Sequence, residues 1–354
     1  MLRCLATFFV CLLLAAVLPS CPDASTDSDN SPGGNGNNSD NGDGVDGGND
    51  GGDGSGDEGP DIPDLGVNAS LNGAQVFPTD NPWNTPVDTL PVDPNSDILI
   101  DSIGRYTGLH ADFGANWNGG PFGIPYIVVE GDTPGVYVTF QYDDESDAGP
   151  YPITGNAPIE GGPNSSGDRH IIMIDRDNWI LYELFAAYPP DRAGDPWRAG
   201  SGAIWDMNSN ALRPAGWTSA DAAGLPIFPG LVRYDEVYEQ GEIGHALRFT
   251  VSRSRRAYVH PARHFASSST DPDLPPMGMR VRLKAGFDVS GFSDANQVVL
   301  RALKRYGMIV ADNGSNWYIS GAPDARWDDD ELSELKDIEG GNFEVVRMGS
   351  IVTD

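Results

Sequence analysis

The sequence predicts a mainly β fold, a β-sandwich or jelly-roll-like body with a few peripheral helices. Three observations predict it. Beyond residue 66 the apolar residues fall in short runs, turn formers separate those runs (the chain has 44 Gly and 28 Pro), and few segments have a helical period. In chain order, the segments 136–142, 170–175, 179–185, 246–251, 257–259, 279–284, 308–312, 317–320 and 343–347 read as strands. Asp177-Asn178 between the second and third predicts a hairpin turn, and Asn313-Gly314 after the seventh predicts another. Ser293 can cap a helix that runs to Tyr306 and stops at Gly307. Asp328, Asp329 and Asp330 place negative charge on the first turn of a second, short helix that closes by Gly340.

Ahead of this body lie two segments of different character. Residues 1–21 carry one charge, Arg3, then an apolar run from Leu5 to Leu18, then Pro19, Ser20 and Cys21. This is the three-part form of a secretory signal, and its apolar run is shorter than the roughly 20 residues of a spanning helix. Leu18-Pro19-Ser20-Cys21 resembles the lipobox of bacterial lipoproteins. The resemblance implies a diacylglyceryl group on Cys21, cleavage before that residue, and a mature chain anchored through its N-terminal lipid to a membrane of the cell envelope, outside the cytoplasm. Cys4 and Cys11 fall within the leader, so Cys21 is the only cysteine of the mature chain and no disulfide forms inside it. Residues 22–66 are Gly, Asn, Asp and Ser with almost nothing apolar, too little to offset their ordering entropy, and read as a disordered acidic linker. The globular domain then occupies 67–354.

Charge excludes some partners. With 22 Lys plus Arg against 52 Asp plus Glu, the formal net charge is −30. Such a surface repels phosphate backbones, so nucleic acid is not a partner. One stretch reverses the sign. Residues 246–284 hold seven Arg and Lys284 against Asp271 and Asp273, and Arg280, Arg282 and Lys284 share one strand face.

Three constellations carry possible chemistry. In the 179–185 strand, Trp179, Leu181, Glu183 and Phe185 share a face, so the Glu183 carboxyl sits among large apolar groups and burial raises its pKa toward that of a general acid. The bland counterpart is a Glu183 paired with an Arg at a cleft edge. Asp168, just before a strand, and Asp206, after Ala203-Ile204-Trp205, are its candidate partners, since glycoside hydrolysis needs two carboxyls across one sugar ring. In the basic stretch, Arg263, Arg280 and Arg282 could neutralise a uronate carboxylate while His260, His264 or Tyr258 abstracts the neighbouring proton, which is lyase chemistry. Trp197 and Trp217, like Trp117, occur in Gly/Pro/Asn-rich loops, where an indole can stack on a sugar face or cover the core.

Metal signals are weaker. Asp40, Asp43 and Asp46 alternate like a calcium loop but lack its distal Glu, and the histidines at 110, 170, 245, 260 and 264 could supply zinc ligands but show no HExxH pattern. No cofactor is expected. Gly200-Ser201-Gly202 falls short of a nucleophile elbow, and no phosphate-binding glycine loop follows a strand. The reading is an exported, lipid-anchored protein acting on extracellular polysaccharide as a glycoside hydrolase or a lyase on a uronic-acid polymer. The alternative is a non-catalytic surface lipoprotein that binds glycan or a partner protein.

Overall fold

A computed structural model of the chain describes residues 62–353. The leader, Cys21, the acidic run at 40–46 and most of the 22–66 linker lie outside the described residues. The folded body already includes residues 62–66: the Pro63 carbonyl accepts from Arg176 Nη1 at 2.7 Å, and Gly66 pairs with Val128. Among the described residues, no helix is long and apolar enough to cross a membrane.

Strands predominate, arranged in several sheets. The first larger sheet has the order Gly66–Val67, Tyr126–Val129, Ile171–Asp175, Ile180–Phe185, Ser201–Asp206. Both of its faces are covered. Tyr126, Val128, Ile172 and Leu181 enter the main core, while Ile127, Val129, Met173 and Leu184 enter a smaller second core. That double burial explains why Tyr126-Ile127-Val128-Val129 and Ile171-Ile172-Met173-Ile174 are continuous apolar runs with no alternation. The second larger sheet has the order Phe343–Val345, Arg280–Leu283, Met308–Asn313, Leu247–Val251, Tyr318–Ser320, His110–Asp112. Pairing is mixed: Tyr126–Val129 runs parallel to Ile171–Asp175, Leu247–Val251 to Met308–Asn313, and Tyr318–Ser320 to His110–Asp112.

Each of the nine strand segments read from sequence contains a strand. Asp177-Asn178 does join Ile171–Asp175 to Ile180–Phe185 as an antiparallel pair, with Trp179 in a left-handed turn conformation (φ 56°) and so outside the strand. The hairpin predicted at Asn313-Gly314 does not form. Leu247–Val251 lies between Met308–Asn313 and Tyr318–Ser320, pairing with both, so the two segments flanking the turn do not pair with each other. The Gly314 amide donates instead to the Val251 carbonyl at 2.9 Å, and a side chain at 314 would run into Thr250.

Helices are short. α1 (Ser96–Ile103) buries Leu99, Ile100 and Ile103. α2 (Asp294–Arg305) is capped by Ser293, whose hydroxyl accepts from the Asn296 amide, a cap that stabilises by about 1 kcal/mol. It buries Val298, Val299, Ala302 and Leu303 against the main core. The chain reverses after α2 at Gly307 (φ 68°), where any side chain would collide with the Val281 carbonyl. α3 (Asp329–Ser333) starts at Asp328, whose carboxylate accepts from the Asp330 and Glu331 amides.

Candidate active site

Glu183 occupies the middle of the first sheet, in the cross-strand row Tyr126, Ile172, Glu183, Ala203. Its side chain is fully buried on the main-core face. There the carboxylate accepts from the Ile227 amide (2.9 and 3.0 Å) and the Phe228 amide (2.9 Å), at the start of the turn Phe228–Gly230. Burial lifts its pKa, and these amides partly offset that, leaving it pushed up to about 7. Glu183 is therefore a latch between the sheet and the 227–230 turn, with no face toward solvent.

Next to it lies a polar cluster organised by Arg248. The guanidinium is buried and grips Asp221 through two bonds, Nε at 2.7 Å and Nη2 at 2.8 Å. Nη1 donates to Ser320 Oγ at 2.6 Å, and Nη2 reaches Asp312 at 3.3 Å. Such a bidentate pair is geometrically specific, and losing either partner leaves a buried charge uncompensated. Asp312 is one-quarter exposed. Burial and the negative charge of Asp221 raise its carboxyl to about 7 despite Arg248, and the charge of Asp168, exposed nearby, adds to the rise.

The second half of the cluster is His170 with Glu160. His170 Nδ1 lies 2.7 Å from Glu160 Oε2, and Nε2 lies 3.1 Å from the Ala220 carbonyl. A carbonyl and a carboxylate only accept, so both ring nitrogens must carry protons and the ring is an imidazolium. Burial opposes that charge, but the Glu160 carboxylate outweighs it and the His170 pKa rises to about 9. Reciprocally, burial would raise Glu160, and the imidazolium overrides it and holds the carboxyl below its ordinary value.

Glu160 is one-quarter exposed and lines a cleft of about 920 Å³. Asp112 shares it, placed by the parallel pairing of His110–Asp112 with Tyr318–Ser320, which sets Asp112 beside Ser320 and so next to Arg248. Asp112 opens onto the cleft while protein crowds its other sides. That desolvation, followed by the charge of Glu160, lifts its pKa, with Arg248 partly opposing. One wall is the hairpin of Gly114–Trp117 and Gly120–Phe122. It is pinned where Asp329, at the start of α3, accepts from the Ala115 and Asn116 amides at 2.8 and 2.9 Å. The hairpin presents Trp117, 69% exposed, tilted against Phe122. Pro323–Arg326 also line the cleft.

The residues singled out from sequence are scattered. Asp168 joins the cluster, but Asp206 sits at the other end of its strand, where it accepts from the Asn208 amide. Register pairs Ser201 with Phe185 near Asp168 and Asp206 with Ile180, so Asp206 lies about 17 Å of strand beyond Ser201, at the end away from Asp168. Arg263, His264 and Trp217 gather around Gly224. There His264 Nδ1 bonds the Ala222 carbonyl, Arg263 Nε bonds the Arg213 carbonyl, and Trp217 stacks on the Arg213 guanidinium. His260 is exposed, just before a cis proline, and burial followed by the charge of Arg263 lowers its pKa. Trp197 is half-buried in a strand beside Val138 and packs on the smaller core. Arg280 donates to the carbonyls of Tyr306, Pro82 and Thr85, and Arg282 to Glu344 and the carbonyls of Val87 and Leu90. These two arginines fasten the 82–90 segment to the sheet. Cys21 lies outside the described residues. Among the described residues, no group of three or more His, Cys, Asp or Glu is disposed to hold a metal ion.

Asp112 and Glu160, which both line the cleft, were not among the carboxylates picked out by strand alternation. The only hint was the triplet His110-Ala111-Asp112; Glu160 sits in a Pro/Gly loop that resembles an ordinary turn. Their surroundings act on the two carboxyls in opposite directions, desolvation raising Asp112 and the His170 imidazolium lowering Glu160. No family model matches the chain, and neither a curated protein nor a solved structure matches it significantly.

Proposed function

We propose that this is an exported polysaccharide-cleaving protein, a glycoside hydrolase whose acid is Asp112 and whose base or nucleophile is Glu160. The observation that carries the reading is that two carboxyls, Asp112 and Glu160, line one cleft together with the exposed indole of Trp117, and their surroundings push the two carboxyls in opposite directions. Glycoside hydrolysis asks for this division: one carboxylic acid to protonate the leaving oxygen, one carboxylate to attack the anomeric carbon or activate water. His170 is a positioning residue in this scheme, keeping Glu160 ionised and oriented. Trp117 supplies an indole face for a sugar ring.

Lyase action by His260 and His264 has less support, because Arg280 and Arg282 spend their donors on the chain itself. The leader and Cys21 support export and attachment to the cell envelope through an N-terminal lipid, with the acidic linker as a tether. A sandwich of the two larger sheets also belongs to the proposal, supported by one continuous core that draws Ile172 and Leu181 from the first sheet and Phe249 and Val281 from the second.

The test is a panel of soluble polysaccharides scored for both retention and products. New reducing ends without ultraviolet-absorbing unsaturated ends support hydrolysis, and unsaturated ends support a lyase. Retention with no product from any polymer supports the glycan-binding alternative and refutes the enzyme.

A further inference from the structure

We infer that the cleft accepts a polysaccharide without acidic groups and that, among such polymers, one bearing free amines is held most tightly. This rests on the polysaccharide-cleaving reading of the same cleft. The charged groups that line it are Asp112, Glu160, Asp324 and Arg326. Arg326, the one base among them, is paired with two carboxylates through three of its five N–H groups. Nε and Nη2 donate to Asp324 at 2.9 and 2.7 Å, Nη1 donates to Glu239 at 3.1 Å, and the guanidinium carbon lies 3.9 Å over the Tyr234 ring. Two neighbouring cations do not line the cleft and are buried in pairs of their own, Arg248 with Asp221, Ser320 and Asp312, and His170 with Glu160 and the Ala220 carbonyl. The lining therefore sets three carboxyl groups against one guanidinium, whose charge is already shared between Asp324 and Glu239, and an incoming uronate carboxylate meets a surplus of negative charge.

Such a carboxylate would meet Glu160, whose charge the His170 imidazolium preserves. An ammonium meets the reverse: a carboxylate lining and the exposed face of Trp117, which attracts cations as well as the apolar face of a sugar. The basic strand bearing Arg280 and Arg282 does not alter this balance, because those side chains are fastened to the 82–90 segment.

The test is calorimetric titration of the full chain with three oligosaccharides of equal length: one of free glucosamine units, one neutral, and one of uronic acid. The expected order is amine, then neutral, then uronate, with about a tenfold or greater gap between the extremes at low ionic strength that narrows as salt is added. The variant Asp324→Asn releases Arg326 at the cleft rim while keeping a side-chain oxygen for the Arg326 amide. It should shift the amine-to-uronate ratio toward uronate by about threefold. Uronate binding equal to or tighter than amine binding overturns the inference. If the uronate oligomer is bound best and cleaved to reducing ends, the charge inference falls while the cleavage reading stands; if none of the three binds, both fall.

Discussion

Replacing Glu183 with Gln removes a titration that the fold displaces. In the folded chain the carboxyl is pushed up to about 7, mainly by burial, from an ordinary value of 4.5. A raised folded pKa means that the native state holds the proton more tightly than the unfolded chain does. The resulting stabilisation is fully present below pH 4.5 and is lost as the pH rises to 7. At about 1.4 kcal/mol per pH unit, that interval is worth about 3 kcal/mol. Gln retains an oxygen for the Ile227 and Phe228 amides but replaces the second oxygen, which also faces the Ile227 N–H, with an NH2 group that sets donor against donor, at a cost of about 1–3 kcal/mol. The variant should therefore be the less stable protein at pH 4.5, and its deficit should close or invert by pH 8. Urea unfolding of both proteins across this range reads the difference directly. A difference between the two that stays constant with pH would refute the argument. Because Glu183 reaches no solvent, the same variant should retain polysaccharide turnover.

Other perturbations test the neighbouring groups. His170 should titrate near pH 9 by NMR, and its pairing with Glu160 should stabilise the fold fully below pH 6.5 and be lost as the pH rises through 9; a midpoint near 6.5 would show that the pair does not form. Arg248→Lys cannot keep both bonds to Asp221 and should cost about 3–5 kcal/mol in denaturant unfolding, whereas a loss under 1 kcal/mol would contradict a buried bidentate pair. Trp117→Ala, at an exposed hairpin tip, should leave stability within about 0.5 kcal/mol and weaken glycan binding about three- to tenfold. Unchanged affinity would remove the indole from the site.

The legible parts of the fold are those written locally. Ser293, the apolar face of 294–303 and Gly307 define α2 without help from elsewhere, and alternation with turn residues marks the strand at Ile180–Phe185. Partner choice is written nowhere locally. Asn313-Gly314 has the composition of a two-residue hairpin, yet Leu247–Val251, some sixty residues earlier, inserts between its flanks and overrides it. The cleft is non-local in the same way. Asp112 and Glu160 line one cleft because a three-residue strand at 110–112 pairs with one at 318–320, and because a loop at 159–162 folds onto His170. Neither segment is long enough to show a period. Alternation does place Glu183 among apolar neighbours, but it cannot distinguish a carboxyl latched to backbone amides from one that faces a substrate.

The most direct test is the rate of reducing-end release by the wild-type chain, Asp112→Asn and Glu160→Gln on one susceptible neutral or amino polysaccharide. Loss of about 10²–10⁴-fold in kcat for each variant, with glycan affinity largely kept, is the predicted outcome. Wild-type turnover in either variant would contradict the assignment of that cleft as the site of chemistry.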